Sequence, residues 1–369
     1  MDTRKILSRL GKMTILLMIP LIGFVCGKIM GGSIARTKTP FVMIMDIIRF
    51  LVILYILIFL QIIIHETGHL ICGLLSGYTF SSFRILSFMW SNENGKIHFK
   101  RYKLNIAAGQ CLMLPPALDE NNQLPYLLYN LGGVFFNILS SLLVLPLFLI
   151  STTPLFKMCC FIFIAIGVVF AYVNGIPACL HGINNDGMNA CALKHPEAPR
   201  AFWINLMVAD KMTKGERLKD MPSSWFRCPS QEAMKNGMVA ILGVYACARL
   251  LDEHHYEEAN TLIEELLSIK SGIVPLHRKQ LIVEQYFIKL IKHQTLTKEN
   301  IDQLFKMKNQ LQNDPAYLRV LYAYHLLQNK NIEKVDWIKK RFEKIISSYP
   351  YQAEASHEQE LLQMIDQLS

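Results

Sequence analysis

The sequence has few charged residues. Asp, Glu, Lys and Arg make up 18% of the 369 residues, whereas hydrophobic residues make up 52%. Soluble domains have about 25% charged residues, so the composition excludes an ordinary soluble protein. The apolar residues form long runs in the first half, and the chain after about residue 190 has ordinary charge. We therefore predict an integral membrane protein with a soluble part after it.

Paired cysteine motifs are also missing. The nine cysteines include no C-x-x-C pair, and most lie in or near apolar runs. We expect them to be small buried hydrophobes rather than disulfides or a zinc ribbon. The net charge of +9 lies largely beside the apolar runs, which favours contact with anionic lipid and argues against nucleic-acid binding.

Four apolar runs are long enough to cross a hydrocarbon core of about 30 Å. The first has a basic start and is expected to be a retained anchor, with a cleaved signal peptide as the alternative. The positive-inside rule then places the carboxyl ends of the second and fourth spans on the cytosolic side. The predicted spans are residues 13–32, 46–76, 126–150 and 157–180.

The second span contains the pentapeptide His-Glu-Thr-Gly-His at residues 65–69. Residues four apart share a helix face, so His65 and His69 are suited to bind one Zn²⁺, and Glu66 is available as a general base. Such groups in a membrane span are costly unless a metal, partner or cavity compensates. The alternative is a hydrogen-bonded cluster that ties helices together.

A hydrolytic zinc site usually has three protein ligands. Asp186, in the Asn-Asn-Asp-Gly segment 184–187 after the fourth span, is the best carboxylate on the same side of the membrane. Pro177 breaks the preceding helix, so the chain can turn inward there. The alternative for this segment is a simple turn. Cys72, three residues after His69, is a weaker candidate because a cysteine on an apolar helix usually packs.

These motifs resemble the site-2 proteases, a family of intramembrane zinc metalloproteases. The resemblance covers residues 50–190 and rests on the pentapeptide, on Gly133-x-x-x-Asn137 and on Asn174-x-x-Pro177 followed by Asp186-Gly187. It implies that His65, His69 and Asp186 bind zinc and that Glu66 is the catalytic base. Asn137, Asn174 and Pro177 are expected to position the substrate or nearby loops. Eight residues separate Pro177 from Asp186, more than the family commonly has, and His181 within this interval is the alternative third ligand.

Two β-prone runs follow the second span, at residues 83–90 and 96–106, and Asn94-Gly95 between them predicts a hairpin. The resemblance implies a small sheet whose edge pairs with an unwound substrate. Asn137 is expected to hydrogen-bond this segment or, equally, to bond another helix.

From about residue 230 the pattern is helical to the end, and helix pairs recur at roughly 40 residues. The segment His255-Tyr256-Glu257-Glu258-Ala259 resembles part of a tetratricopeptide hairpin. We divide the chain into an anchor with an external loop (1–45), a metalloprotease core (46–190), a linker with room for short helices (191–229) and a self-supporting cytosolic helical-repeat domain (230–369) that binds a protein partner. The fold class is therefore an α-helical polytopic membrane protein with a small β-hairpin and an all-α helical-hairpin C-terminal domain.

The sequence is interpreted as a zinc endopeptidase of the cell membrane that cleaves membrane proteins or peptides. The spans contain no Gly-x-Ser-Gly, Gly-x-Gly-Asp or Glu-Glu-x-x-x-Arg motif, which argues against serine, aspartyl and glutamyl intramembrane proteases. Two alternatives remain, an inactive receptor or scaffold with a structural metal and a metal carrier. The presence of Glu66 argues against the scaffold, because a structural site needs no base.

Overall fold

The computed structural model describes residues 39–93, 95–101, 108–180, 183–349 and 351–368. The predicted first span and His181 lie outside these residues. The chain divides into two compact units. The first comprises the described parts of Met1–Ile85, Ala107–Met113 and Pro125–Cys191, and the second comprises those of Leu86–Ile106, Leu114–Leu124 and Ala192–Ser369.

Three helices of the first unit are long and apolar enough to cross a membrane. They are α1 (Pro40–Leu75), α2 (Tyr126–Ile150) and α3 (Pro154–Gly175), with 36, 25 and 22 residues. Each exceeds the roughly 20 residues that a hydrocarbon core requires. Three of the four predicted spans are therefore present as helices, and many large apolar side chains on them are exposed, which suits contact with lipid.

Prolines determine where two of these helices begin and where the last one ends. Pro40 and Pro154 occupy first-turn positions, where the missing N–H costs nothing. The helix α3 ends at Gly175, five residues before the predicted end of the span. Ile176 precedes Pro177 and is extended, with ψ of 121°, because proline disfavours a helical residue before it.

The three helices pack closely through glycines. The backbones of α1 and α2 meet at Gly68 and Gly132, where a Cβ added to Gly68 would lie 2.8 Å from the Gly132 carbonyl carbon. The helix α2 also packs along α3. Small residues allow this approach, as in membrane helix pairs generally. The pentapeptide is thereby held against α2.

Short strands follow α1. The strand β1 (Thr79–Ile85) has β4 (Gly109–Leu114) as a neighbour. Between them, β2 (Phe88–Glu93) and β3 (Lys96–Arg101) form the predicted hairpin, antiparallel and with Trp90 opposite Phe99. The predicted run 83–90 is split at Leu86, which has a positive φ of 54° and ends β1.

A second, smaller hairpin follows α3. It consists of β5 (Cys179–Leu180) and β6 (Ile183–Asn184), which are antiparallel. The seven-residue helix α4 (Asp186–Ala192) begins immediately after it. These elements occupy the long interval between Pro177 and Asp186.

The second unit is helical after residue 192. The interval predicted as a linker contains α5 (Ala198–Thr213), which packs against α6 and α13. The prediction of helices from about residue 230 onward is confirmed by the helices described in this region. They are α6 (Gly237–Asp252), α7 (Tyr256–Ser268), α8 (Pro275–Ile291), α9 (Lys298–Lys306) with α10 (Lys308–Leu311), α11 (Pro315–Ala323) with a π-helical turn (Tyr324–Gln328), α12 (Ile332–Ile346) and α13 (Gln352–Gln367).

One buried cation joins three helices of this unit. Nε of Arg319 on α11 donates to Glu358 on α13 at 2.7 Å, and Nη2 donates to Glu284 on α8 at 2.8 Å. The guanidinium also lies 3.8 Å from the centre of the Phe287 ring. Because a buried arginine needs such partners, these contacts fix how the last helix, α13, packs against α8 and α11.

Candidate metal centre

Two histidines of α1 and one aspartate of α4 form the candidate metal centre. His65 and His69 lie one turn apart, and their Nε2 atoms are separated by 3.2 Å. Oδ2 of Asp186 lies 3.1 Å from Nε2 of His65 and 3.5 Å from Nε2 of His69. The three residues form a group that could hold a metal ion, with one ligand atom of each within 4.8 Å of the others.

The hydrogen bonds made by Nδ1 of His65 and of His69 determine which nitrogen of each ring carries the proton. They therefore decide whether the other nitrogen, which faces Asp186, has a free lone pair. Nδ1 of His65 lies 2.7 Å from Oδ1 of Asn137, and Nδ1 of His69 lies 2.8 Å from the carbonyl oxygen of Tyr129. Both partners are acceptors, so in a neutral imidazole Nδ1 carries the proton and Nε2 does not. The Nε2 atoms are then free to bind a metal.

The donor set fits a cation. Oδ2 of Asp186 is buried and accepts no hydrogen bond from the described residues. It faces the two Nε2 lone pairs at 3.1 and 3.5 Å. Three electron-pair donors so close together repel one another unless a positive charge lies among them, and a bound metal ion would supply that charge.

The small hairpin delivers Asp186 to the histidines. The amide of Ala178 donates to Oδ1 of Asn185 at 3.0 Å, and the amide of Asn185 donates to the carbonyl of Ala178 at 3.0 Å. These two bonds close the base of the hairpin. The chain therefore enters and leaves at nearly the same point, and the extra residues do not move Asp186 away from α3.

Asn185 also joins two helix ends. Its Nδ2 donates at 2.6 Å to the carbonyls of Val173 and Ile176, which lack intrahelical donors at the end of α3. Its Oδ1 accepts from the amide of Met188, as an N-cap does for α4. Asn185, the residue before Asp186, is thus hydrogen-bonded both to the end of α3 and to the start of α4.

The predicted loop-positioning residues Asn174 and Pro177 lie beside this junction. Nδ2 of Asn174 donates to the carbonyl of Phe170 within α3. A Cβ added to Gly187 would lie 3.1 Å from the nitrogen of Pro177, so the start of α4 packs directly on the end of α3. Whether Asn137, Asn174 and Pro177 position a substrate remains a prediction.

Glu66 lies beside the ligand group but is not part of it. The residue is buried, and its carboxylate lies against the backbone of Gly109 at the start of β4. A Cβ at Gly109 would lie 2.6 Å from Cγ and 2.8 Å from Cδ of Glu66. The strand therefore lies so close to the carboxylate that a side chain at position 109 would force one of them to move.

Tyr129 connects β4 to the same centre. Its carbonyl is the hydrogen-bond partner of His69, and its hydroxyl donates to the carbonyl of Cys111 in β4 at 2.9 Å. The ring of His65 is similarly confined, because a Cβ at Gly133 would lie 2.6 Å from its Nδ1. The backbone of α2 thus restrains both imidazole rings, at Tyr129 for His69 and at Gly133 for His65.

Cys72, the weaker candidate for the third ligand, packs at the helix contact. It is buried, and a Cβ added to Gly132 would lie 2.8 Å from its own Cβ. The metal-capable group found in the described part of the chain contains Asp186 and not Cys72. The other alternative, His181, lies outside the described residues.

Sequence reasoning missed Gln61, Tyr129 and Gly109. Gln61 lies four residues before His65 in an apolar run, and that spacing places both on one helix face. This signal was available. Tyr129 contacts His69 through its backbone carbonyl, and Gly109 approaches Glu66 because it has no side chain. Both contacts join segments that are distant in the sequence, so no residue spacing in the sequence indicates them.

Comparison of the chain with protein-family models, curated proteins and solved structures found no match. The geometry of the three ligands, the buried glutamate and the apolar helices that carry them is therefore what indicates a function.

Proposed function

We propose that the protein is an intramembrane zinc metalloprotease similar to the site-2 proteases. The observation that carries this proposal is the convergence of His65, His69 and Asp186 in an apolar helical unit, with Glu66 one residue after the first ligand. A buried base next to an open metal site is the arrangement that metal-assisted peptide hydrolysis requires.

Zinc suits these ligands. Two imidazoles and one carboxylate are typical of catalytic zinc sites. Ligand atoms at about 2.0–2.1 Å from a tetrahedral ion are separated by about 3.3 Å, and the three separations here are 3.2, 3.1 and 3.5 Å. When bound, the ion supplies a Lewis acid that polarises a peptide carbonyl and makes water more acidic.

Glu66 handles the proton in the proposed reaction. Its carboxylate accepts a proton from the attacking water and delivers that proton to the nitrogen of the leaving amine. Burial against Gly109 excludes bulk water from the carboxylate. The hydrogen bonds at Nδ1 of His65 and His69 keep both rings oriented as ligands during this transfer.

The strand β4 provides a place for an extended substrate. Its strand neighbour in the described part of the chain is β1. An unwound membrane segment that added to the free edge of β4 would run past Gly109, where the Glu66 carboxylate lies. Main-chain pairing would hold the segment extended, and a helical segment must unwind before its peptide bonds can be cut.

The proposal includes a location and a role for the helical array. By the positive-inside rule the active site and the C-terminal array face the cytoplasm of a multi-pass membrane protein. Stacked helical hairpins of tetratricopeptide type bind partners on their surfaces, so the array is proposed to recruit a protein partner or substrate.

The test compares purified wild-type protein with Glu66→Gln, which removes the base and leaves all ligands. Membrane-peptide fragments are compared by mass spectrometry in cells and in vesicles, and bound zinc is measured in the same samples. We expect a loss of fragments by about three orders of magnitude with one zinc per chain retained. Equal cleavage by Glu66→Gln, or zinc without any cleavage by wild type, would instead favour the scaffold.

A further inference from the structure

We propose that Gln61 is a positioning residue that keeps His65 in its metal-binding tautomer by holding the amide of Asn137 in one orientation. This inference depends on the metal centre of the proposed function, and it concerns metal binding rather than peptide cleavage. Gln61 is fully buried and lies on α1 one turn before His65.

The orientation of Gln61 is fixed from α3. Its Nε2 donates to the carbonyl of Phe163 at 3.1 Å, so the amide nitrogen faces α3 and Oε1 faces α2. Gly167 on α3 leaves room for this, because a Cβ there would lie 2.8 Å from Nε2. A buried amide with a carbonyl at one end has a single favourable orientation.

Gln61 in turn fixes Asn137. Nδ2 of Asn137 donates to Oε1 of Gln61 at 2.7 Å and to the Gln61 carbonyl at 3.2 Å. With both acceptors on that side, Oδ1 of Asn137 must face the other way. It lies 2.7 Å from Nδ1 of His65 and accepts the proton there.

The hydrogen bonds that run from Phe163 through Gln61 and Asn137 to His65 decide which nitrogen of His65 can bind a metal. An asparagine amide that rotates by half a turn exchanges a donor for an acceptor at nearly the same position. If Asn137 turned its Nδ2 toward His65, Nδ1 would have to accept, and the imidazole proton would move to Nε2. Nε2 is the atom that faces His69 and Asp186, so the flipped amide would block the ligand.

The decisive experiment places Gln61→Leu in two backgrounds of the full-length protein. Asn137→Asp provides the second background, because a carboxylate accepts at both oxygens and has no donor to turn toward His65. We expect Gln61→Leu to weaken zinc binding by about 10–100-fold in the native background and by less than about threefold with Asn137→Asp. Zinc affinity is measured by chelator competition in detergent, and the Co²⁺ absorption spectrum reports the ligand geometry.

Two further variants separate positioning from packing. Gln61→Glu in its protonated form can both donate to Phe163 and accept from Asn137, so it should restore the affinity and the Co²⁺ spectrum. Tyr55→Phe removes a hydroxyl from an exposed position of the same helix and should leave both unchanged. The proposal is overturned if Gln61→Leu binds zinc like wild type, or if it loses equal affinity in both backgrounds. Since no readout is cleavage, absence of protease activity with the expected affinities would reject the proposed function alone.

Discussion

Asp186 approaches His65 to 3.1 Å, although the two residues belong to different helices and the hairpin β5–β6 precedes the aspartate. The contact depends on the chain reversing at the end of α3. Asn185 closes that reversal. The ligand set of the candidate centre therefore combines one local pair in α1 with one long-range contact.

Asp186→Ala should lower bound zinc well below one per chain, because two imidazoles alone bind the ion weakly. Asn184→Ala is the matched control, since Asn184 lies in the same segment but outside the metal-capable group. Zinc is measured by elemental analysis of purified protein. Full zinc content in Asp186→Ala together with loss in His181→Ala would assign the third ligand to His181.

Gly109→Ala should reduce cleavage by about 100-fold while zinc remains bound. The new Cβ would lie 2.6 Å from Cγ of Glu66, so the strand or the carboxylate must move, and a displacement near 1 Å costs about that factor. The control is Gln110→Ala at the next position of the same strand, where the side chain is shortened and no Cβ is added beside Glu66. Loss of zinc in Gly109→Ala would show that the strand supports the ligands instead of the base.

Glu354 should make the helical array less stable as pH rises. Burial, together with the neighbouring carboxylates Asp314 and Glu358, raises the pKa of Glu354 to about 8. A folded pKa above the unfolded value means that the folded state binds the extra proton. The stabilisation is complete below about pH 4.5 and is lost between there and about pH 8.

The variant Glu354→Gln should remove the part of the pH dependence of the unfolding free energy that Glu354 causes. This slope is at most about 1.4 kcal/mol per pH unit for one proton. Urea unfolding of the full-length protein followed by circular dichroism at pH 5, 7 and 8.5 measures it. Glu333→Gln serves as the control because Glu333 is exposed in the first turn of α12. A slope in Glu354→Gln identical to that of wild type would contradict the prediction.

The helical array should need α5 for full stability. The helix packs against α6 and α13 and buries Ala201, Ile204 and Val208. A fragment 230–369 would expose the surface that α5 covers, so it should melt roughly 10 °C below a fragment 192–369. Thermal circular dichroism of both fragments tests this. Equal melting temperatures would support the predicted domain boundary near residue 230.

Local patterns made much of the fold predictable. Apolar runs, prolines and 3.6-residue periodicity predicted three of the described helices in the first unit and every helical interval after residue 230, because these signals act within one element. The i,i+4 spacing of His65 and His69 predicted their shared face for the same reason. The break at Leu86 escaped prediction because a leucine with positive φ has no local signature.

The rest of the candidate site depends on contacts between segments. Asp186 could be named as a ligand from topology, but the interval before it gave no indication of the β5–β6 hairpin. The partners of Asn137 remained open between the loop and another helix. The structure places Gln61 and His65 around its side chain, since an amide that bonds in both directions can satisfy two helices at once.

The hairpin β5–β6 also bears on how relatives of this chain could be found. Its base is closed at Ala178 and Asn185, so residues added beyond that base would lengthen the hairpin and leave the following carboxylate in place. Antiparallel strands grow by one residue on each side, so such insertions should come most readily in pairs. A search pattern with a fixed Pro-to-Asp interval would pass over chains of this kind, and one that lets the interval vary by even numbers would retain them.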